Sequence, residues 1–206
     1  MQLASPNFMR KKLVVPIVGV LLFTSCSPRD YLTRRLAADL IAASEPFKQT
    51  QQYVLQTGVV SNQDYSAPEY VVLQHHGWIS ATTAQCRPNV TPAPCWDVVL
   101  TPSGVEAIRP LVSADQGARA TLTLPVARRK LLAVTGISRL GTSANVDFTW
   151  RWGPLNEIGA ALYSGDLRYR STVAFREYDD GWRVVQSVSR PSQSLDDSLR
   201  NAEPAP

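Results

Sequence analysis

The stretch ANVDFTWRW, residues 144–152, carries the clearest strand signal in the chain. Apolar side chains occupy every second position, namely Val146, Phe148, Trp150 and Trp152. Polar side chains fill the positions between them, namely Asp147, Thr149 and Arg151. Because successive side chains of a strand point to opposite faces, this alternation predicts a strand with one buried side and one side facing solvent.

Similar stretches lie on both sides of this strand. Residues 120–138 (ATLTLPVARRKLLAVTGIS) and residues 167–178 (LRYRSTVAFREY) alternate in the same way, and residues 182–189 (WRVVQSVS) follow a DDG turn. The segment PLNEIGAAL, residues 154–162, predicts a short helix. Together these segments predict a four-stranded, mainly antiparallel sheet with one short helix within residues 117–190.

Helix signals dominate the chain before this sheet. Ser27 followed by Pro28 predicts a helix start, and Pro46 predicts that this helix ends near Ser44. Residues 68–80 (PEYVVLQHHGWIS) predict a short helix that Gly77 ends, after which the chain becomes extended.

Residues 95–110 (CWDVVLTPSGVEAIRP) predict a strand and then a helix. Thr101 caps this helix and Pro102 is its first residue. The expected fold class is therefore α+β. N-terminal helices with a small hairpin occupy residues 26–112, the four-stranded sheet follows, and residues 191–206 form a flexible tail.

The first 25 residues have the organisation of an export signal. Three cations, Arg10, Lys11 and Lys12, precede an apolar stretch at residues 13–23. Eleven residues are too few to span a bilayer, which needs about 20, but they match the apolar region of a signal peptide. Met9 is a second candidate for the initiating residue.

Two small residues, Thr24 and Ser25, separate this apolar stretch from Cys26. The arrangement resembles the lipobox of bacterial lipoprotein precursors, although Phe23 stands where that family usually has an aliphatic residue. The resemblance implies cleavage before Cys26, a lipid on its sulfur, and an envelope location. Ser27 implies the outer membrane, facing the periplasm, in a Gram-negative cell. A plain secretory signal with a coincidental cysteine, or an N-terminal anchor helix, are the alternatives.

The other two cysteines, Cys86 and Cys95, flank a proline-rich loop. An exported chain enters an oxidising compartment, so we expect them to form a disulfide. A zinc site would need two further ligands, and His75 and His76 are the only histidines. Because adjacent residues point in different directions, the histidines do not supply that pair, and no metal site or cofactor is predicted.

Two local resemblances concern architecture. Residues 68–108, from the first helix to LTPSG, resemble the second half of winged-helix domains. The ending FREYDDGWRVV resembles the last hairpin of exported cystatin-like and NTF2-like domains. Neither resemblance implies nucleic-acid binding here, because residues 68–80 contain no Lys or Arg. From Cys26 onward 18 basic residues face 17 acidic ones, so the net charge of +4 comes mainly from the leader.

No catalytic constellation emerges from the sequence. Ser103 lies in TPSGV, which lacks the glycine pattern of a nucleophile elbow, and nothing in the spacing joins it to His75 or His76. Asp179 and Asp180 are explained by a turn. We therefore expect no catalytic residues, although a hydrolase with an unrecognised site stays open.

The aromatic face of the sheet is the candidate ligand surface. Its members are Phe148, Trp150, Trp152 and Trp182. These side chains either form the inner layer of the sheet or bind a glycan, a lipid or a peptide. A second candidate surface is basic and comprises Arg128, Arg129, Arg151, Arg168, Arg170 and Arg176. It would suit anionic lipid headgroups or an acidic partner, but Arg128 and Arg129 cannot share one face of a strand.

These observations favour a membrane-anchored, non-catalytic envelope lipoprotein that acts through contacts with an envelope protein or as an accessory subunit. The alternative is a module that binds a small ligand, a lipid or a glycan on the aromatic face.

Overall fold

The computed structural model describes residues 31–86, 94–112, 121–185 and 194–205. Its helices are α1 (Arg34–Ala42), α2 (Glu45–Lys48), α3 (Asn62–Tyr65), α4 (Pro68–His75), α5 (Pro102–Ile108), α6 (Glu157–Leu162) and α7 (Leu195–Arg200), with a 3-10 turn at Arg109–Leu111. Its strands are β1 (Thr50–Gln56), β2 (Gly58–Ser61), β3 (Ile79–Ala84), β4 (Cys95–Leu100), β5 (Thr121–Leu140), β6 (Ser143–Pro154), β7 (Arg168–Tyr178), β8 (Gly181–Val184) and β9 (Glu203–Ala205).

The strands form two antiparallel sheets. The larger has six strands in the order β1-β5-β6-β7-β8, and β9 also pairs with β7. The smaller has three strands in the order β2-β4-β3. Strand residues therefore dominate the described fold, and the prediction of an α+β protein with a four-stranded sheet is wrong.

The two additional strands of the larger sheet come from segments with weak side-chain patterns. The predicted strands are present as β5, β6, β7 and β8. β1 (TQQYVLQ) has one fully buried side chain, Leu55, and pairs with the first part of β5. β9 (EPA) is a polar edge strand, held by backbone pairing to the first residues of β7. Backbone pairing requires no hydrophobic alternation, so the sequence does not predict β9 and leaves the segment of β1 ambiguous.

The C-terminal segment belongs to the fold. Ser194 caps α7 by accepting a hydrogen bond from the Asp197 N–H, and Leu195 and Leu199 are buried. The expectation of a flexible tail is thus wrong for residues 194–205, which form α7 and β9. Residues 191–193 and 206 lie outside the described part.

Two hydrophobic cores pack against the larger sheet. The first, called the α1 core, joins α1, α2 and α7 to β6 and β7, and Leu131 of β5 packs against it. The second, called the α4 core, joins α4, α5, α6 and the smaller sheet to Leu122, Leu124 and Val126 of β5. β5 therefore contributes side chains to both cores.

The first helix begins later than the sequence predicts. Thr33 is its N-cap, with the hydroxyl accepting from the Leu36 N–H at 3.1 Å, so a single helix starting at Ser27 is wrong. Ser27 and Pro28 lie outside the described residues. Leu32 precedes the helix and is buried in the α1 core. The helix ends at Ala42, and Ser44 precedes α2, as Pro46 predicts.

The helix and strand boundaries of residues 68–108 agree with the prediction. Gly77 has a φ of +68° after α4, and Thr101 caps α5 with its hydroxyl 3.1 Å from the Gly104 N–H. Residues 48–65 are ambiguous in sequence, since YVLQTGVV fits a strand with Gly58 as a bulge or a turn. In the structure the chain divides at Gly58, with a φ of +78°, between β1 and β2. None of the helices within the four described ranges is long and apolar enough to cross a bilayer.

Candidate functional site

An aromatic cluster closes one end of the α1 core. Trp150 stacks on Tyr169 with ring centroids 4.6 Å apart, and Trp152 meets Trp150 edge-on at 5.4 Å. Tyr163 lies 5.6 Å from Trp152. The Nε1–H group of Trp150 donates to the hydroxyl of Ser171 at 3.1 Å. The cluster is therefore fixed by both ring packing and a buried hydrogen bond.

Arg129 of β5 lies over this cluster. Its guanidinium carbon is 4.8 Å from the Trp152 ring centroid and 5.5 Å from that of Trp150. One terminal nitrogen donates to the Pro46 carbonyl at 2.9 Å, whereas the buried Nε has no hydrogen-bond partner among the described residues. Burial lowers the pKa of Arg129, and the Asp196 carboxylate opposes that shift. An arginine keeps its charge in proteins, so this cation is held in place by two indole rings.

An open groove of about 260 Å³ adjoins the cluster. Its lining residues come from the end of β6, the end of α6 and the segment leading into β7: Trp152, Leu162, Tyr163, Gly165, Leu167 and Tyr169. Burial raises the pKa of Tyr163, with Glu69 and Tyr169 adding to the shift. Its phenol is therefore a neutral hydrogen-bond donor and acceptor at neutral pH. The groove offers aromatic faces and hydroxyl groups to a small ligand.

Helix α6 holds one wall of the groove in position. Asn156 caps this helix, with its Oδ1 accepting from the Gly159 N–H at 2.8 Å and its Nδ2 donating to the Pro125 carbonyl. Gly159 lies directly against β5, because a Cβ atom there would be 1.8 Å from the Val126 carbonyl oxygen. The groove thus depends on an asparagine cap and on a glycine.

Most of the predicted aromatic face is core. Phe148, Trp150 and Trp182 are buried, and Phe148 has no exposed area. Trp152 alone of the four lines the groove and is half-buried. Trp182 lies far along the sheet under Arg139, whose guanidinium carbon is 4.8 Å from its ring. The structure therefore brings Trp150 and Trp152 together and separates both from Trp182.

Trp152 is the one groove residue that the sequence predicts as a site residue, and the two tyrosines of the groove show why the others have no such signal. Tyr169 occupies an apolar position in the alternating pattern of residues 167–178. This pattern is the same for a residue that lines a groove and for one in the core. Tyr163 follows α6 as its C-cap, where no periodic pattern identifies it. Only the tertiary packing of α6 against the sheet places these two tyrosines beside Trp152.

The predicted disulfide is confirmed. Cys86 and Cys95 are bonded, with Cα atoms 5.1 Å apart. Cys95 is the first residue of β4 and is fully buried, so the bond fixes the start of the central strand of the smaller sheet. The intervening residues 87–93 lie outside the described part.

Ser103 and His76, which are candidates for a hydrolase site, make contacts within the fold. Ser103 donates to the Gly77 carbonyl at 2.9 Å and lies beside the Thr101 hydroxyl. His76 stacks on Trp78 at 4.7 Å. Within the described ranges, no hydrogen bond joins Ser103 to either histidine, and no group of three or more His, Cys, Asp or Glu side chains could hold a metal ion.

Arg128 and Arg129 differ in environment, as expected for neighbours on a strand. Arg129 packs on the aromatic cluster, whereas Arg128 is exposed and donates to the Thr50 hydroxyl at 3.5 Å. Arg151, Arg168, Arg170 and Arg176 occur on β6 and β7 as predicted.

Cys26 and the leader lie outside the described residues. No family model, curated protein or solved structure matches this chain.

Proposed function

We propose that this chain is a lipid-anchored envelope protein that acts by binding rather than by catalysis. The observation that carries the proposal is the order of the first 26 residues, in which three cations, an apolar stretch and two small residues precede Cys26. An acyl group on Cys26 would anchor the chain to the membrane. The disulfide between Cys86 and Cys95 supports export to an oxidising compartment.

The tether implied by this anchor is short. Leu32 is already buried in the α1 core, six residues after Cys26. The five residue steps from Cys26 to Tyr31 reach at most about 17 Å when fully extended. The body would therefore be held close to the bilayer, where an envelope protein partner is reached by contact.

Fractionation of a bacterium that makes the full chain tests the anchor. We expect wild-type protein to stay with the membrane through washes at high salt, and Cys26→Ser to accumulate as precursor or to leave the membrane. Ser25→Gly keeps a small residue before the cysteine and is the matched control. Unchanged processing and fractionation of Cys26→Ser would show that the anchor assignment is wrong. In-cell cross-linking of the wild-type protein then identifies its partner.

The groove favours a second candidate function, the binding of a small ligand with a flat apolar face such as a sugar ring. Trp152 and Tyr163 supply aromatic walls, and the Arg129 cation lies on the inner side of the same indole. Aromatic rings with polar groups at their edges are typical of such sites. This candidate is compatible with a membrane anchor.

Tryptophan fluorescence tests the groove with soluble oligosaccharides and short-chain lipids as probes. We expect a saturable change with at least one probe, lost in Tyr163→Ala and kept in Tyr178→Ala, a matched exposed tyrosine on β7. Identical titrations of both variants would exclude the groove as the binding site.

A further inference from the structure

One face of the larger sheet carries seven cations. Cross-strand pairs place Lys130 opposite Arg151, and Arg176 opposite Arg183. Paired residues share a face, and the alternation along each strand extends this face to its other members. The outer face, as we call it, comprises Arg128, Lys130, Arg151, Arg168, Arg170, Arg176 and Arg183. It lies opposite the α1 core, and no helix of that core covers it.

Carboxylates neutralise only part of the outer face. Asp166 pairs with Arg151 at 3.3 Å and with Arg168 at 2.9 Å, and Asp180 pairs with Arg183.

The remaining cations of the outer face lack such partners. Arg128, Lys130, Arg170 and Arg176 are exposed and form no ion pair in the described chain. Glu203 stands opposite Arg170 in the register of β7 and β9, but the two side chains do not form an ion pair. The Asp147 carboxylate accepts a hydrogen bond from Thr172. The outer face therefore keeps a positive excess.

Two pairs on this face set like charges directly against each other. Lys130 faces Arg151, and Arg176 faces Arg183. Such pairs destabilise a sheet relative to neutral or opposite pairs. A dense anionic surface would remove this repulsion, because its charges would lie between the cations.

The shape and chemistry of the outer face fit a planar polyanion better than a folded protein. Most of its other members are small or polar, such as Ser143, Asn145, Thr149 and Ala174, and the exposed apolar side chains of Leu140 and Tyr178 lie at one end of the sheet. Protein interfaces have an aromatic or apolar centre, which this set lacks. At about 3.4 Å per residue, Arg168 and Arg176 are roughly 27 Å apart along β7, so the cations are spread over a broad area.

We propose that the outer face binds the anionic phosphodiester headgroups of a phospholipid bilayer. Cations close to such a surface each strengthen binding by roughly fivefold, so the four unpaired cations suffice for reversible attachment. The proposal does not require acylation of Cys26, since the attraction comes from the folded body.

Vesicle sedimentation with the full chain carrying Cys26→Ser tests this inference without an acyl anchor. One set of vesicles contains phosphatidylcholine alone, and the other contains phosphatidylcholine mixed with phosphatidylglycerol. We expect tighter binding to the mixed vesicles, with a preference that falls as salt rises. The leader cations Arg10, Lys11 and Lys12 also favour the anionic vesicles, so the contribution of the folded body is measured by comparing variants in which the leader is unchanged.

Two triple variants with the same change in net charge locate the binding face. Lys130→Gln/Arg170→Gln/Arg176→Gln should reduce the preference for anionic vesicles by about a hundredfold. Arg35→Gln/Lys48→Gln/Arg109→Gln alters exposed cations on the helical side and should keep most of that preference. Near-UV circular dichroism verifies that both variants are folded.

Three results would overturn the proposal. They are equal losses in the two triple variants, equal binding of wild type to both kinds of vesicle, and binding to soluble polyglutamate without a preference for anionic vesicles. Because Cys26 is replaced in every sample, failure here leaves the anchor proposal to be judged by its own fractionation experiment.

Discussion

Tyr70 and Tyr53, two tyrosines of the α4 core, differ in the hydrogen bonding of their hydroxyl groups. The Tyr70 hydroxyl donates to the Gln56 carbonyl at 3.0 Å and accepts from the Gln56 N–H at 3.1 Å. The Tyr53 hydroxyl is buried and has no hydrogen-bond partner in the part of the chain that the structure describes. A buried polar group without a partner costs free energy, whereas a satisfied one contributes to stability.

This difference predicts opposite effects of removing the two hydroxyl groups. Tyr53→Phe should raise the free energy of unfolding by about 0.5–1 kcal/mol, and Tyr70→Phe should lower it by about 1–2 kcal/mol. Urea denaturation of the two variants at neutral pH measures both changes. A loss of stability in Tyr53→Phe as large as that in Tyr70→Phe would contradict this assignment.

Burial of these phenols also makes the stability of the fold depend on pH. It raises the pKa of both Tyr53 and Tyr70 in the folded state. The unfolded chain then loses its phenol protons first, so the stability is complete below about pH 10 and decreases as the pH rises above the unfolded value. We expect Tyr53→Phe to reduce this alkaline loss, as measured by urea denaturation at pH 9 and at pH 11. An unchanged pH dependence would contradict the buried setting of Tyr53.

Position 159 requires glycine because α6 packs too closely against β5 to leave room for a side chain there. A Cβ atom at this position would be 1.8 Å from the Val126 carbonyl oxygen, so α6 must move away from β5 to admit it. Gly159→Ala should therefore destabilise the fold by about 2–3 kcal/mol despite the better helix propensity of alanine. Ala160→Leu, at the exposed neighbouring position, is the control and should change thermal stability little.

Single residues differ in how well sequence identifies their role. Gly77 and Thr101 act on their own backbone neighbours, so the local pattern predicts both correctly. Gly159 and Trp152 owe their roles to elements distant in the chain. No local signal separates Trp152, which lines the groove, from Trp150, which is core.

At the scale of elements, the disulfide stabilises the smaller sheet. It closes a loop with a sequence separation of nine between the end of β3 and the start of β4. By the chain-entropy relation, such a loop is worth about 2.5 kcal/mol. The double variant Cys86→Ala/Cys95→Ala should lose about that amount in urea denaturation. Wild type under reducing conditions should agree with it, and a loss below about 0.5 kcal/mol would contradict the prediction.

Strand length was predictable only in part. Residues 120–138 show two apolar stretches, and the structure joins them into the 20-residue β5. The register shifts between Leu131 and Ala133 and again between Val134 and Gly136, which breaks the alternation in the sequence. Each β-bulge inserts an extra residue and changes the face that follows, so a simple period-two pattern fails at these positions.

At the scale of the whole molecule, the single strand β5 connects the two hydrophobic cores. β5 contributes Leu122, Leu124 and Val126 to the α4 core, and its second half packs against the α1 core. β1, from the first part of the chain, pairs with the same strand. The predicted parts at residues 26–112 and 117–190 thus share a sheet, an arrangement that depends on long-range pairing and has no local signature.

Shared use of β5 predicts a single cooperative unfolding transition. Leu73→Ala in the α4 core and Val146→Ala in the α1 core should each cost about 2–4 kcal/mol. Each should lower the denaturation midpoint equally by tryptophan fluorescence and by far-UV circular dichroism. Separate midpoints for the two probes would show that the cores unfold independently.

The function proposed for the whole molecule rests on Cys26 as its membrane anchor, and mass spectrometry of the purified protein tests this most directly. The protein is made from the full chain in a bacterium that processes lipoproteins, and its N-terminal peptide is analysed. We expect a peptide that begins at Cys26 and carries a diacyl lipid on the sulfur. An N-terminus at any other residue, or an unmodified Cys26, would contradict this expectation.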